Sequence, residues 1–164
     1  NEHRQTARFV EMLQAGRSIA LISDAGTPAV SDPGYLMVRE AINAHIEVQC
    51  LPGATALIPA LVVSGLAAHN FSFEGFLPPK KGRQTKLQKL SEEERTLVFY
   101  ESPHRIARTL KDLAEHFGEE RLASLSREIS KKFEETRRGT LSELIQSCEE
   151  RPPKGELVLC VAAK

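Results

Sequence analysis

The sequence has no tryptophan, two tyrosines, two methionines and three cysteines in 164 residues, and its formal net charge is zero. Each scarcity excludes something. Aromatic residues at 5% leave few platforms on which nucleic-acid bases could stack. Cys50, Cys148 and Cys160 are far apart and form no CxxC or Cys/His ligand spacing. Neither a zinc site nor a disulfide framework is therefore expected, but reduced, buried, inert thiols in a cytoplasmic setting. The longest apolar run, 54–68, is broken by Pro59, Ser64 and Gly65 and falls short of the roughly 20 residues that span a bilayer. Asn1-Glu2-His3-Arg4 has no signal-peptide pattern. With no initiator Met and a helical pattern already under way, a fragment of a longer protein is expected. No GxGxxG or GxxxxGK[ST] occurs, so the dinucleotide and P-loop fingerprints are missing as well.

Hydrophobic residues at 41% and charged residues at 27% are sufficient for a core and exclude wholesale disorder. The zero net charge hides an asymmetry. Residues 1–79 hold Arg4, Arg8, Arg17 and Arg39 against seven acids, a net of −3, and residues 80–164 carry +3. The composition changes near Phe71, where we divide the chain into domains of residues 1–70 and 71–164.

Thr6, Phe9, Val10 and Leu13 mark an amphipathic helix closed by Gly16. Residues 18–22 and 46–51 read as buried parallel strands. Between them, Asp32-Pro33 reads as the N-cap and first residue of a helix running to about Ala44. The helix over 55–65 is apolar on nearly every side and is expected to be central. This βαβα order predicts a parallel sheet covered by helices. In the second part, strands are expected at 71–76 (an edge), 96–100, 121–126, 132–138 and 156–161. Helices are expected at 83–91, after a Ser102-Pro103 cap, and after the capping box Thr140–Glu143. Antiparallel pairing is expected there, so the fold class is α/β with a mixed second sheet.

Two loops sit where open α/β sheets bind ligands, past strand ends and at helix N-termini. The first, residues 23–34, is long for a plain link. Its Gly26 allows close backbone approach, Asp24 offers an acceptor and Thr27 a hydroxyl. The second, 52–56, offers backbone N–H groups and the Thr55 hydroxyl. Helix initiation alone explains Asp32, Pro33 and Gly34, and a turn explains Gly53.

LISDAGTPAVSDPG (21–34), LPGATA (51–56), FEGFLPPKKGRQ (73–84), FYESPHR (99–105), SREISKKFEETRRGTL (126–141) and KGELVLCV (154–161) together resemble the 16S ribosomal RNA (cytidine 2′-O) ribose methyltransferases of the tetrapyrrole methylase superfamily. The resemblance covers essentially the whole chain. It implies the remainder of a parallel-sheet N-terminal domain followed by a mixed-sheet α/β C-terminal domain. It further implies S-adenosylmethionine bound in the cleft between domains, a ribose 2′-oxygen as methyl acceptor, 16S ribosomal RNA or the small subunit as partner, and a homodimer. Cofactor contacts carry over to Asp24, Ala25, Gly26, Thr27 and Val30, to Pro52, Gly53, Thr55 and Ala56, and to Glu101 and Ser102. The PTPIGNL-like and EDTR-like segments with which that group begins are absent here. The competing readings are a superfamily enzyme with another substrate and a non-catalytic RNA-binding fragment.

Methyl transfer is chiefly positioning, with help from a base that takes the hydroxyl proton. Glu101, His104 and Glu128 are the candidates, Glu101 first. Against it stands a carboxylate that pairs with Arg105 or Arg127 to hold its loop, which residue type slightly favours. His104 falls in a first helical turn, where polar residues are ordinary. Lys80, Lys81, Arg83, Arg105, Arg127, Lys131, Arg137 and Arg138 are the expected RNA contacts, phosphate-directed and salt-dependent. Phe76 and Tyr100 are the available stacking rings, with buried core roles favoured for both.

Overall fold

The structure, a computed structural model, describes residues 2–164, with side chains from Gln5 onward. It divides into two compact units, 1–55 and 56–164. The division falls before the helix expected over 55–65, not before Phe71. The reason is packing. Helix α3 (Leu57–Ser64) buries Ala60 and Leu61 against Val98, Val158 and Cys160 of the sheet in the second unit. Its other face is bare, with Val62 69% exposed, so an all-round apolar helix is packed on one side only.

The first unit holds α1 (Glu2–Gln14) and α2 (Tyr35–Asn43). Among its described residues there is no strand. Residues 18–22 and 46–51, expected as parallel strands, join no sheet, because a strand exists only through a neighbour's ladder. Ile22 and Leu51 consequently stand more than four-fifths exposed. The helix expected from Asp32 begins two residues later, capped by Gly34 at φ +137°. The Asp32 carboxylate is turned instead to the Ser23 hydroxyl, which donates to it over 2.8 Å.

The second unit is a five-stranded mixed sheet in the order β1-β2-β5-β3-β4. Its strands are β1 (Phe71–Phe76), β2 (Thr96–Glu101), β3 (Leu122–Arg127), β4 (Glu135–Thr140) and β5 (Leu157–Val161). Only β1 and β2 run parallel; the other three ladders are antiparallel. The expected edge strand at 71–76 is an edge. Helices α4 (Arg83–Leu90), α5 (Ile106–Phe117) and α6 (Leu141–Glu150) complete the unit. In α5 the spacing Ile106, Leu110, Leu113, Phe117 places all four in the core with Leu97, Phe99 and Leu159. Each such side chain contributes about 1.5–3 kcal/mol by leaving water. The Thr140 capping box forms in full: its hydroxyl accepts from Glu143 N–H, and the Glu143 carboxylate accepts from Thr140 N–H. Ser102 does not cap α5 with its side chain; its carbonyl accepts from Arg105 and Ile106, and the helix starts after that turn. Cys148 and Cys160 are buried as expected, but Cys50 is exposed because residues 46–51 lie outside any sheet.

Candidate functional site

In the first unit the two glycine-containing loops meet. The Thr27 hydroxyl donates to the Ala54 carbonyl over 3.0 Å. A side chain on Gly26, at φ +74°, would come within 3.8 Å of that same oxygen. Ser23 folds the start of the first loop, bonding the backbone of Ala25 and the carboxylate of Asp32. Ala29 and Ser31 hold positive φ, 66° and 61°. Such backbone costs non-glycine residues about 1–3 kcal/mol each and gathers at ligand clamps. Asp24 and Ala25 project to solvent, Val30 and Thr55 are half-buried, and Pro52 and Gly53 are exposed. The loops that hold the expected contacts Asp24–Thr27 and Val30, and Pro52, Gly53 and Thr55, are thus joined by the Thr27–Ala54 bond; Ala56 opens the second unit.

In the second unit Glu101 ends β2, 3% exposed. Its Oε1 accepts from Ser102 N–H at 2.8 Å and lies 3.4 Å from Arg105 Nε. Its Oε2 accepts from the Thr109 hydroxyl at 2.7 Å. Both oxygens are occupied, which suits the loop-holding role. Thr109 in turn accepts from Arg83 Nη2 at 3.0 Å, and Arg83 Nε pairs with Asp112 at 2.6 Å. Arg83, expected on RNA, is therefore a 2%-exposed anchor that also donates to the Pro78 carbonyl. Sequence reasoning missed Thr109 and Asp112. The signal available was their place on the same helix face as Arg105 and Arg108.

Glu128 is likewise engaged. Its Oε1 accepts from Glu156 N–H at 3.0 Å and from Lys131 at 3.3 Å. The backbone bond, aided by Lys131, draws its carboxyl below the usual range, away from a proton acceptor's requirement. Glu128 itself holds φ +50°. His104 is exposed and makes no bond or ion pair among the described residues. The three candidates for a base share no hydrogen bond or ion pair with one another.

The basic residues separate in the same way. Lys80 and Lys81 are exposed. Arg127, Arg137 and Arg151 converge on Glu135, and Arg137 also donates to the Ser147 and Arg151 carbonyls. Arg138 donates to the Val63 carbonyl at 2.8 Å, and Lys131 bridges Glu128 and Glu156. These five hold loops and strand ends. Phe76 is half-exposed, edge-on to Tyr100 at 5.9 Å, where a core role had been expected.

The family model described as Tetrapyrrole (Corrin/Porphyrin) Methylases matches residues 1–145. The chain belongs to this family. Two relatives are named ribosomal RNA small subunit methyltransferase I. The Synechocystis sp. protein is 50% identical over 163 residues, covering 99% of this chain and 58% of the relative. The Pasteurella multocida protein is 50% identical over 167 residues, covering 100% and 59%. The chain thus spans under three-fifths of their length. Among solved structures, methyltransferase CobJ superposes with a TM-score of 0.73 at 20% identity, covering 99% of this chain and 72% of CobJ. A uroporphyrin-III C-methyltransferase from Thermus thermophilus, complexed with S-adenosyl homocysteine, gives 0.62 at 18% identity, covering 98% and 73%. These likenesses establish the fold. The buried Glu101–Thr109–Arg83–Asp112 chain of this tetrapyrrole methylase ties the end of β2 to the turn before α4. No helix among the described residues is long and apolar enough to cross a membrane.

Proposed function

We propose that the protein to which this tetrapyrrole methylase chain belongs transfers a methyl group from S-adenosylmethionine to the 2′-oxygen of a cytidine ribose in 16S ribosomal RNA. The observation that carries this reading is 50% identity, over nearly the whole chain, to proteins named for small-subunit ribosomal RNA methylation. The 2′-oxygen and the cytidine are what the family resemblance carried by the quoted motifs implies.

The first unit offers a fitting cradle for the cofactor. Gly26 supplies the positive φ that the first loop needs, Thr27 pins the two loops together, and the exposed Asp24 carboxylate has no partner among the described residues. Asp24 would accept hydrogen bonds from the cofactor's ammonium or ribose hydroxyls, and Thr55 would donate. Bound there, the cofactor supplies an electrophilic methyl on a sulfonium. The chain's contribution is orientation. Fixing two reactants in line accounts for several kcal/mol of barrier without a strong base, which agrees with Glu101 and Glu128 being committed to structure.

The reading is tested by incubating small subunits that lack the modification with methyl-tritiated S-adenosylmethionine and the protein, then digesting the RNA to nucleosides. Label in 2′-O-methylcytidine is expected. Label confined to a base, or none in RNA, refutes the assignment.

A further inference from the structure

A second site lies beyond the ends of the parallel strands β1 and β2. A cavity of about 260 Å³ opens between residues 79–80 and the first turns of α5, lined by Lys80, Arg83, His104, Arg105, Arg108 and Thr109 as well as Pro79. We propose that this pocket binds one phosphodiester group of the RNA substrate. The proposal rests on the RNA reading above for the source of the phosphate, but not for the pocket itself.

Charge is the first argument. Four cations of the lining face two carboxylates, Glu101 and Asp112, so the cluster keeps an excess of two positive charges before His104 is considered. The distribution of partners is the second. Arg83 is the floor, 3% exposed at its side chain, and its charge is spent on Asp112 at 2.6 Å. Arg108 reaches the same Asp112 oxygen at only 3.6 Å and is 62% exposed, so it can turn to an anion with little loss. Arg105 is held by the Leu77 carbonyl at 2.5 Å and by Glu101 at 3.4 Å, which fixes its guanidinium beside the pocket. The side chains of Lys80 and His104 bond nothing among the described residues.

Geometry is the third argument. The carboxyl ends of strands are where open α/β sheets receive ligands, and guanidinium groups match phosphate oxygens in pairs. The buried Glu101–Thr109–Arg83 chain makes the floor rigid, so the mouth is preorganised. That the phosphate belongs to a nucleic acid rather than being a free anion comes from the RNA reading alone.

The first test titrates inorganic phosphate into the chain and follows the Arg105 and Arg108 Nε–H and His104 ring signals by NMR. Saturable shifts at these three residues are expected, with those of Arg105 and His104 lost in Lys80→Gln/Arg108→Gln; diffuse, unsaturable shifts over the whole surface overturn the pocket. Both substituted residues are exposed, and a thermal melt checks that the variant folds. The second test measures binding of an unmethylated 16S RNA fragment against salt. The double variant should lower the log–log slope by about 0.7, the loss of one single-strand phosphate contact. RNA binding with an unchanged slope overturns the proposal and leaves the RNA reading standing. Phosphate shifts without any RNA binding keep a phosphate pocket but overturn its assignment to RNA, together with that reading.

Discussion

The Thr109 hydroxyl donates a 2.7 Å hydrogen bond to Oε2 of Glu101, both residues being almost wholly removed from water. The same hydroxyl accepts from Arg83. One small side chain thus reconciles a buried carboxylate with a buried guanidinium and fixes the turn between β1 and α4.

Thr109→Val keeps the shape of the side chain and deletes both bonds. Charged groups left short of a partner in a buried setting cost about 1.5–3 kcal/mol. We expect a loss of that size in urea unfolding, with a lower midpoint and an unchanged slope. Thr109→Ser should restore most of it. An unaltered midpoint for Val would show that the hydroxyl does not link the two charges.

Glu135 accepts from Arg127, Arg137 and Arg151. Burial works against its ionisation, but the bonds from Arg137 and Arg151 outweigh burial and bring its carboxyl below the ordinary 4.5. A carboxylate depressed on folding stabilises above its unfolded pKa, and that contribution is lost as pH falls through the folded value. Stability should therefore decline from about pH 4.5 downward. The decline should be shallower in Glu135→Gln, in melts recorded across that range; equal slopes would contradict the role given to Glu135.

Gly155 holds φ +86°, and a side chain there would run into the Glu128 carboxylate. Gly155→Ala meets both strain and clash, and left-handed backbone alone costs about 1–2 kcal/mol. Adding Glu128→Ala should recover the clash but not the strain. The two changes should then be non-additive in thermal melts; simple additivity would mean that the carboxylate does not pack on this turn.

The thiols should react in order of exposure. Cys50 is exposed, whereas burial pushes Cys160 up to about 12 and raises Cys148. Since the thiolate is the reactive form, an aromatic disulfide reagent should titrate one thiol in the native chain and three in urea. Three fast thiols without denaturant would contradict the burial described.

Much of the second unit was legible because local signals there agree with packing. The α5 stripe and the Thr140 capping box follow short-range rules, and the apolar runs there find the ladders they need. Residues 18–22 and 46–51 have the apolar runs of strands, but a strand is a property of its neighbours and no run of residues carries its own ladder. Arg83 shows the limit for the site. In sequence it belongs to a basic run; only Asp112, 29 positions on, shows that its charge is spent inside. Asp24, Gly26 and Thr27 could be put forward as cofactor candidates because loop length and residue type need no distant partner.

The central claim, that the loops around Asp24 and Ala54 form the cofactor cradle, is tested most directly by calorimetric titration with S-adenosyl homocysteine. The titration uses this chain and a chimera in which it replaces the matching part of the Synechocystis relative, each with and without Asp24→Ala. Binding in at least one form, weakened tenfold or more by Asp24→Ala and kept by Lys81→Ala, is the predicted result. Binding in neither form, or an affinity indifferent to Asp24→Ala, would contradict it.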